Sequence, residues 1–378
     1  MTWEPVHPEL LPLLTNRADT VWYEAGVVVI LDRRLYPRET VYRRYTTYEG
    51  VARAIEDMVI QGAPPLAYAA GYGLALAARE VKGRPQAEQL AALKKAAARL
   101  LATRPTGADL AQVLSRALDL AREALERGDD VEAALRDYTD REVERGDRAA
   151  RGAGYHAARL LADGDTVLTH CFAGAALNYM FYFARKMGKQ VQVYATETRP
   201  YLQGARLTVG SLREMGVPVT LITDNMPGYL FYRGLITKYI TAADSITMSG
   251  HIVNKVGTYQ YAVLARHSGV PFIVLGYDGP DVEKASAEDI VIEERDPQEV
   301  LRCAGVQLVA PDTRAYYPAF DITPPELVTA IATDRGVFSP VNIADYLEAA
   351  AAEAVPAEWL AELAVVRAER RRRIRTGE

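Results

Sequence analysis

Two patterns of apolar and polar positions divide the chain. Up to about residue 145, Ala and Leu recur at helical spacing and predict helices over 48–60, 64–80, 86–101, 108–127 and 131–144. Ahead of them, the apolar run Val21–Leu31 is broken at Glu24-Ala25-Gly26, which predicts a small β hairpin. From about Gly152, short apolar runs alternate with helical stretches. Strands are expected at 165–170, 190–196, 218–223, 238–243 and 271–276, and helices at 174–187, 203–215, 227–236 and 256–268. Such alternation, with short connections, implies a parallel sheet with helices on both faces. The expected fold class is α/β. Residues 1–145 form a mostly helical N-terminal domain with a small β hairpin, 146–345 a Rossmann-like catalytic domain, and 346–378 a helical C-terminal extension. The boundary is expected inside a helical connector at 145–160. The extension ends Arg370-Arg371-Arg372-Arg373-Ile374-Arg375, which reads as a solvated, frayed helix end rather than a nucleic-acid tail.

Composition narrows the function classes. An apolar fraction of 49% and a charged fraction of 25% are those of an ordinary globular protein. The net charge of −5, without a basic stripe, argues against nucleic acid as a partner. No apolar run approaches the roughly 20 residues of a membrane span. The start, Met1-Thr2-Trp3-Glu4-Pro5, has no charged segment leading into an apolar core, so no secretory signal is expected. The two cysteines, far apart, form neither a disulfide framework nor a metal motif and fit a reducing cytoplasm. The five histidines are scattered, and no metal site is expected. Neither a Gly-x-Gly-x-x-Gly segment after a strand nor a glycine-lysine phosphate loop is present, so no nucleotide cofactor is expected.

Candidate chemistry gathers where strands end. Cys171, in Leu168–Leu177, follows an expected strand and faces the first turn of the next helix. Ligands of open α/β sheets bind on that edge, and a helix start lowers a thiol pKa from about 8.5. A small buried hydrophobe is the plainer role for such a cysteine. Gln61-Gly62-Ala63-Pro64-Pro65 opens a helix and leaves the Gly62 and Ala63 amides for an anion, or is simply a helix start. Tyr194–Arg206 crowds Glu197, Arg199, Gln203 and Arg206 together, as a polar site or as a structural ion-pair cluster. Asp244 closes a strand and is either a general acid or base or an ordinary turn residue. Ser249–Thr258 brings Asn254 and Lys255 to another helix start, which suits a phosphate. A thiol, a carboxylate, two anion sites and a lysine suit proton transfer on a small phosphorylated substrate.

These segments resemble those of the methylthioribose-1-phosphate isomerase family. Gln61–Pro64, Thr169–Gly174, Glu197–Arg206, Thr223–Met226, Asn254–Thr258 and Pro318–Pro324 agree with it in order and spacing from about residue 20 to 340. The wider superfamily includes ribose-1,5-bisphosphate isomerases, 5-deoxyribose-1-phosphate isomerases and regulatory subunits of eukaryotic initiation factor 2B. The resemblance implies Cys171 and Asp244 as the catalytic pair. It implies Gly62, Ala63, Arg104, Gln203, Asn254 and Lys255 as substrate and phosphate contacts, with Arg104 in Thr103-Arg104-Pro105-Thr106. It further implies a homodimer and isomerisation of an aldose 1-phosphate to the 2-ketose 1-phosphate. This chain departs from the family at Gln61, Phe172, Thr196, Tyr201, Ala242, Ser245, Ser249, His251 and Tyr317. The catalytic pair is kept while its surroundings change, which implies retained chemistry with an altered substrate. A bisphosphate isomerase and a non-enzymatic regulatory subunit are the competing expectations.

Overall fold

The computed structural model describes residues 11–104, 108–350 and 354–376. The chain divides into two compact units. One runs from Asn16 to Asp147; the other contains residues 11–15 and everything described from Arg148 onward. The expectation about the chain start, and residues Pro105 and Thr106, lie outside the described residues.

The first unit opens with a hairpin of β1 (Val21–Glu24) and β2 (Val27–Leu31). Its turn puts Ala25 and Gly26 at φ of 49° and 77°, the left-handed conformations a tight hairpin needs. The pattern missed β3 (Tyr42–Tyr45), which pairs antiparallel with β2 and exposes Arg43 and Arg44. Four helices follow: α1 (Tyr48–Glu56), α2 (Ala63–Glu80), α3 (Gln86–Leu101) and α4 (Ala108–Arg127). Small residues of α2 (Ala69, Ala70, Ala75, Ala78) meet Leu93, Leu100, Leu110 and Leu114 in one apolar core. Next, α5 (Val131–Arg159) continues fifteen residues past the expected end at 144. Nothing between Arg145 and Arg159 stops a helix, and its glycines lie where space is short: a Cβ on Gly154 would meet Ala176 O at 2.7 Å.

The second unit is built on a seven-stranded sheet. In chain order its parts are β4 (Thr166–Thr169), α6 (Gly174–Lys186), β5 (Gln192–Thr196), a wide turn at Gly204–Thr208 leading into α7 (Val209–Glu214), β6 (Val219–Ile222), α8 (Pro227–Tyr232) and β7 (Lys238–Ala242). A small antiparallel ladder follows, of β8 (Ser245–Ile246) and β9 (Ile252–Lys255), and then α9 (Thr258–His267) and β10 (Phe272–Tyr277). A hairpin of β11 (Arg302–Cys303) and β12 (Val306–Gln307) precedes β13 (Phe320–Thr323), which joins β9. Finally β14 (Ala330–Thr333) and β15 (Gly336–Phe338) complete the large sheet, and α10 (Ala357–Thr376) ends the described chain.

Strand order in the large sheet is β15-β14-β10-β7-β4-β5-β6. All neighbours are parallel except β14 and β15, so the expected parallel sheet carries an antiparallel edge. The chain builds outward from β4 through β5 and β6, then returns to β4's other side with β7 and continues to β10 and β14. The order therefore reverses between β4 and β7, which makes that point the natural ligand site of an open sheet.

The basic C-terminus is solvated as expected at Arg371, Arg372 and Arg375, but it stays helical to Thr376 and the helix leading to it is packed. Leu363 is buried, and Trp359, Leu360 and Val366 pack against the core around Phe183 and Tyr155. Arg370 makes a largely buried ion pair with Glu214 at 2.7 Å, and Glu214 also accepts the Leu13 amide. The Trp and Leu residues ahead of the arginines give α10 a face to bury. Among the described residues no helix is long and apolar enough to cross a membrane.

Candidate active site

Cys171 and Asp244 lie just beyond the carboxyl ends of β4 and β7, on either side of the reversal point. Cys171 has a φ of 61°, a left-handed conformation that costs energy for a residue with a Cβ. Its backbone is tied down at both ends. Its amide donates to Thr198 Oγ1 at 3.0 Å, and the Thr208 hydroxyl donates to its carbonyl. Thr198 is held in turn by Asp224, whose carboxylate accepts the Thr198 and Arg199 amides at 2.8 and 2.6 Å. The thiol is thus aimed by a rigid loop.

The thiol is not the ionised group that a helix start alone suggests. Burial pushes Cys171 up to about 11; Lys255 pulls the other way, and the Asp244 carboxylate raises it further. The start of α6 is already occupied: Tyr277 Oη donates to Ala173 O at 2.8 Å and accepts the Ala176 amide at 3.3 Å. At neutral pH Cys171 keeps its proton.

His170, next in sequence, holds the loop in place. Its Nε2 lies 3.0 Å from the Val256 carbonyl, which can only accept, so Nε2 carries the proton. Nδ1 then accepts from the Thr196 hydroxyl at 2.6 Å. Burial drives the imidazole down to about 4, so it is neutral. Gly257 allows this contact: it has a φ of 108°, and a Cβ there would meet His170 Nε2 at 3.1 Å.

Asp244 opens to solvent, yet the protein around it displaces part of its water and raises its pKa, with Lys255 and Arg295 opposing. The Asp244 amide donates to Val253 O at 2.8 Å, which ties it to β9. Two residues of that strand follow as expected. Asn254 is buried and donates to Thr241 Oγ1 at 3.3 Å and Thr258 Oγ1 at 2.9 Å. Thr241 bonds the His170 carbonyl at 2.9 Å, so the amide of Asn254 is linked through one hydroxyl to the cysteine loop. Lys255 is 3% exposed, and its ammonium finds no hydrogen-bond partner among the described residues. Burial and the charge of Arg295 lower its pKa.

The expectation that the helix start after Lys255 binds a phosphate needs correction. The Asp321 carboxylate already takes the Gly257 amide at 2.6 Å and the Tyr259 amide at 3.2 Å. These bonds take two amides of the α9 start and leave the Lys255 side chain as that segment's cationic group. The polar segment 194–206 is also used differently. Arg199 donates to the carbonyls of Val300 and Arg302, and Arg206 to that of Tyr201 while lying over its ring at 4.8 Å. These arginines brace loops through backbone carbonyls. Gln203 keeps a buried Oε1 without a partner among the described residues and sits where Gly204 passes against Thr196 O.

Gly62, Ala63 and Arg104 belong to the first unit. Gly62 caps α2 with a φ of 89°. Pro64 and Pro65 carry no N–H, so the amides at that helix start come from Gly62 and Ala63. Arg104 and Gln61 converge on Met58, bonding its sulfur and its carbonyl. Arg33, which the sequence did not single out, is buried and donates to the Gln61 carbonyl. The fold thus gathers Gly62, Arg33 and Arg104 in one unit, and Cys171, Asp244, Asn254 and Lys255 in the other.

The sheet reversal, a strand-end thiol and carboxylate, and a buried ammonium without a hydrogen-bond partner among the described residues define an α/β protein with a candidate site at the switch point of its sheet. The model of the initiation factor 2 subunit family (IF-2B) matches residues 59–340. A putative methylthioribose-1-phosphate isomerase of Aeropyrum pernix is 44% identical over 343 residues, spanning 86% of this chain and 92% of that protein. The methylthioribose-1-phosphate isomerase of Syntrophotalea carbinolica is 43% identical, spanning 83% and 94%. The crystal structure of 5-methylthioribose 1-phosphate isomerase from Pyrococcus horikoshii has a TM-score of 0.78 at 34% identity, covering 92% of this chain and 98% of that one. That of translation initiation factor eIF-2B, subunit delta, from A. fulgidus has a TM-score of 0.73 at 37% identity, covering 87% and 99%. The chain belongs to the initiation factor 2 subunit family, in its methylthioribose-1-phosphate isomerase branch.

Proposed function

We propose that this chain is an aldose–ketose isomerase of methionine salvage. Its substrate is a ribose 1-phosphate substituted at C5, 5-methylthioribose 1-phosphate or 5-deoxyribose 1-phosphate. The observation that carries this reading is the placing of Cys171 and Asp244 after neighbouring strands at the sheet reversal, with the unpaired Lys255 ammonium on the strand tied to Asp244. The relatives named methylthioribose-1-phosphate isomerase support it.

The substrate's phosphate blocks the anomeric oxygen, so simple ring opening is closed to it. Instead the ring oxygen takes a proton as its bond to C1 breaks. C2 loses a hydrogen, C1 gains one, and the C2 hydroxyl gives up its proton as the ketone forms. No electrons leave the substrate, so no redox cofactor is called for. Asp244, with its raised pKa, is suited to hand a proton to the ring oxygen and take one from the C2 hydroxyl. Cys171 is assigned to the exchange between the two carbons: its thiolate form takes the proton that C2 gives up and the resulting thiol returns it to C1, so the sulfur ends as it began. Lys255 and Asn254, with Gln203 and with Gly62, Ala63 and Arg104 of the first unit, are assigned to the sugar and its phosphate. Phe172, Tyr201 and Tyr317 are assigned to apolar walls. A cytoplasmic homodimer is part of the same reading.

The likeness to a structure named as an initiation-factor subunit favours a second reading, a regulatory subunit without turnover. Incubating the purified protein with 5-methylthioribose 1-phosphate, 5-deoxyribose 1-phosphate and ribose 1,5-bisphosphate, and following ketose formation by NMR, separates the two. Turnover of the first or second supports the isomerase. Turnover of none of them leaves the regulatory reading.

A further inference from the structure

We propose that Phe320, held by the Glu293–Arg295 pair, is the positioning residue that holds the Lys255 ammonium in place. Lys255 has three N–H donors, is 3% exposed, and finds no hydrogen-bond acceptor among the described residues. An unpaired buried charge is costly, so something must offset it. The π faces nearby do. Lys255 Nζ lies 4.4 Å from the centre of the Phe320 ring and 6.0 Å from that of Tyr317. Phe320 is also its direct cross-strand partner, because β13 pairs with β9 in the register Phe320↔Lys255 and Asp321↔Asn254. A ring face attracts a cation without satisfying its N–H groups, so the ammonium stays held while all three donors remain available to an incoming anion.

The ring itself is fixed from outside the ladder. Arg295 Cζ lies 5.7 Å from its centre. Arg295 is fastened to Glu293 by two bonds, Nε to Oε1 at 2.9 Å and Nη2 to Oε2 at 3.3 Å. The segment carrying both residues adds to the ladder: the Arg295 amide donates to Tyr317 O at 2.9 Å and the Ala319 amide to Glu293 O at 2.8 Å. Two cations share one ring. Glu293 neutralises the outer one, which limits its repulsion of Lys255. Arg295 and Glu293 make no hydrogen bond to the Lys255 ammonium; their charges act on it directly in opposite senses, and they also hold the ring that faces it.

This inference rests on Lys255 being a phosphate contact, and two readouts keep the two claims apart. The first is the inhibition constant of inorganic phosphate. Phe320→Leu keeps an apolar side chain but removes the π face, and should raise that constant roughly fivefold, within the range of shielded cation–π contacts. Phe320→Tyr, which keeps the face, should stay within about twofold, and Arg295→Lys should fall closer to wild type than Arg295→Met. In the Lys255→Ala background, Phe320→Leu should add nothing, because the cation it positions is gone. Equal losses from Phe320→Leu with and without Lys255 would overturn the proposal. So would a Phe320→Tyr variant as impaired as Phe320→Leu. The second readout needs no phosphate: the side-chain NMR signal of Lys255, assigned by its loss in Lys255→Arg. It should be ring-current shifted in the wild type and in Phe320→Tyr, and relaxed in Phe320→Leu. An unshifted wild-type signal overturns the positioning role. An unchanged phosphate constant in Lys255→Ala overturns the phosphate reading alone, and the NMR shift then decides the positioning claim.

Discussion

Cys171 and Asp244 follow strands that are hydrogen-bonded neighbours, with Leu168 of β4 in register with Tyr239 of β7. Between them the chain builds two further strands on the far side of β4 before it returns. The thiol and the carboxylate therefore meet by sheet order alone, and the Thr241 hydroxyl, bonded to the His170 carbonyl, joins the two strand ends.

Cys171→Ser should abolish isomerase turnover while leaving the fold and phosphate binding intact. The Cys171 backbone is held through its amide and carbonyl, which the substitution does not touch. Cys303→Ser, in the β11–β12 hairpin, should leave turnover unchanged. Steady-state rates with circular dichroism check both, and near-normal turnover by Cys171→Ser removes the thiol from the chemistry.

The thiol's ionisation gives a pH test. Only the thiolate is alkylated, and Cys171 is pushed up to about 11 by burial. In a Cys303→Ser background, the iodoacetamide rate should still be climbing at pH 9.5. A plateau reached by pH 8 would mean that the thiolate is already formed near neutrality.

Lys255→Ala should weaken inorganic phosphate as a competitive inhibitor by about 1.5–3 kcal/mol, roughly 10- to 150-fold, the value of hydrogen bonds to a charged group. Thermal stability should hold or rise, because the variant removes a buried ammonium without a hydrogen-bond acceptor. The two measurements moving in opposite directions mark a residue kept for binding rather than for the fold.

Asp321 links stability to pH. Burial raises its carboxyl to about 6, above its value in an unfolded chain. The folded state thus binds the proton more tightly. The stability this contributes is complete below about pH 4 and is lost as pH rises through about 6. Asp321→Asn keeps an oxygen for the Gly257 and Tyr259 amides but cannot titrate. Urea unfolding at pH 4.5 and 7.5 should show the wild type losing ground to Asp321→Asn at the higher pH. Parallel curves would show that the carboxyl titrates in its ordinary range.

Selectivity at C5 should favour an apolar group. Tyr317 is buried beside Lys255 and Phe172 is half-buried next to Cys171. A second phosphate carries roughly two negative charges, and burying it among aromatic walls is costly. The value of kcat/KM for 5-methylthio- or 5-deoxyribose 1-phosphate should exceed that for ribose 1,5-bisphosphate by at least about tenfold, or ~1.4 kcal/mol. Preference for the bisphosphate in direct competition would replace the substrate while leaving the reaction class intact.

Much of this architecture was legible from periodicity. The hairpin at Val21–Leu31, helices α1 to α4, and strands β4, β5, β6, β7 and β10 with the helices between them fall close to expectation, whereas β8, β9 and the second half of α5 were not foreseen. What stayed hidden has physical causes. Strands such as β14 and β15 are too short to show alternation. Lys255 is recognisable beside a helix start, but its local sequence does not reveal that Asp321 fills that helix start. Glu293 and Arg295 sit in a charged stretch with no apolar periodicity to mark it, and the ladder formed with Tyr317–Ala319 brings them inward. The expected polar cluster at Glu197–Arg206 shows the converse: dense charge whose arginines hold backbone carbonyls.

The order of synthesis gives the β9–β13 pairing a consequence in time. Cys171 and Asp244 emerge from the ribosome well before Phe320. A nascent chain halted ahead of β13 holds the proposed catalytic pair, with Lys255 lacking its ring and α9 lacking the carboxylate of Asp321. The support of Lys255 is therefore added late, and an interrupted chain would hold the proposed catalytic residues with their lysine unbraced.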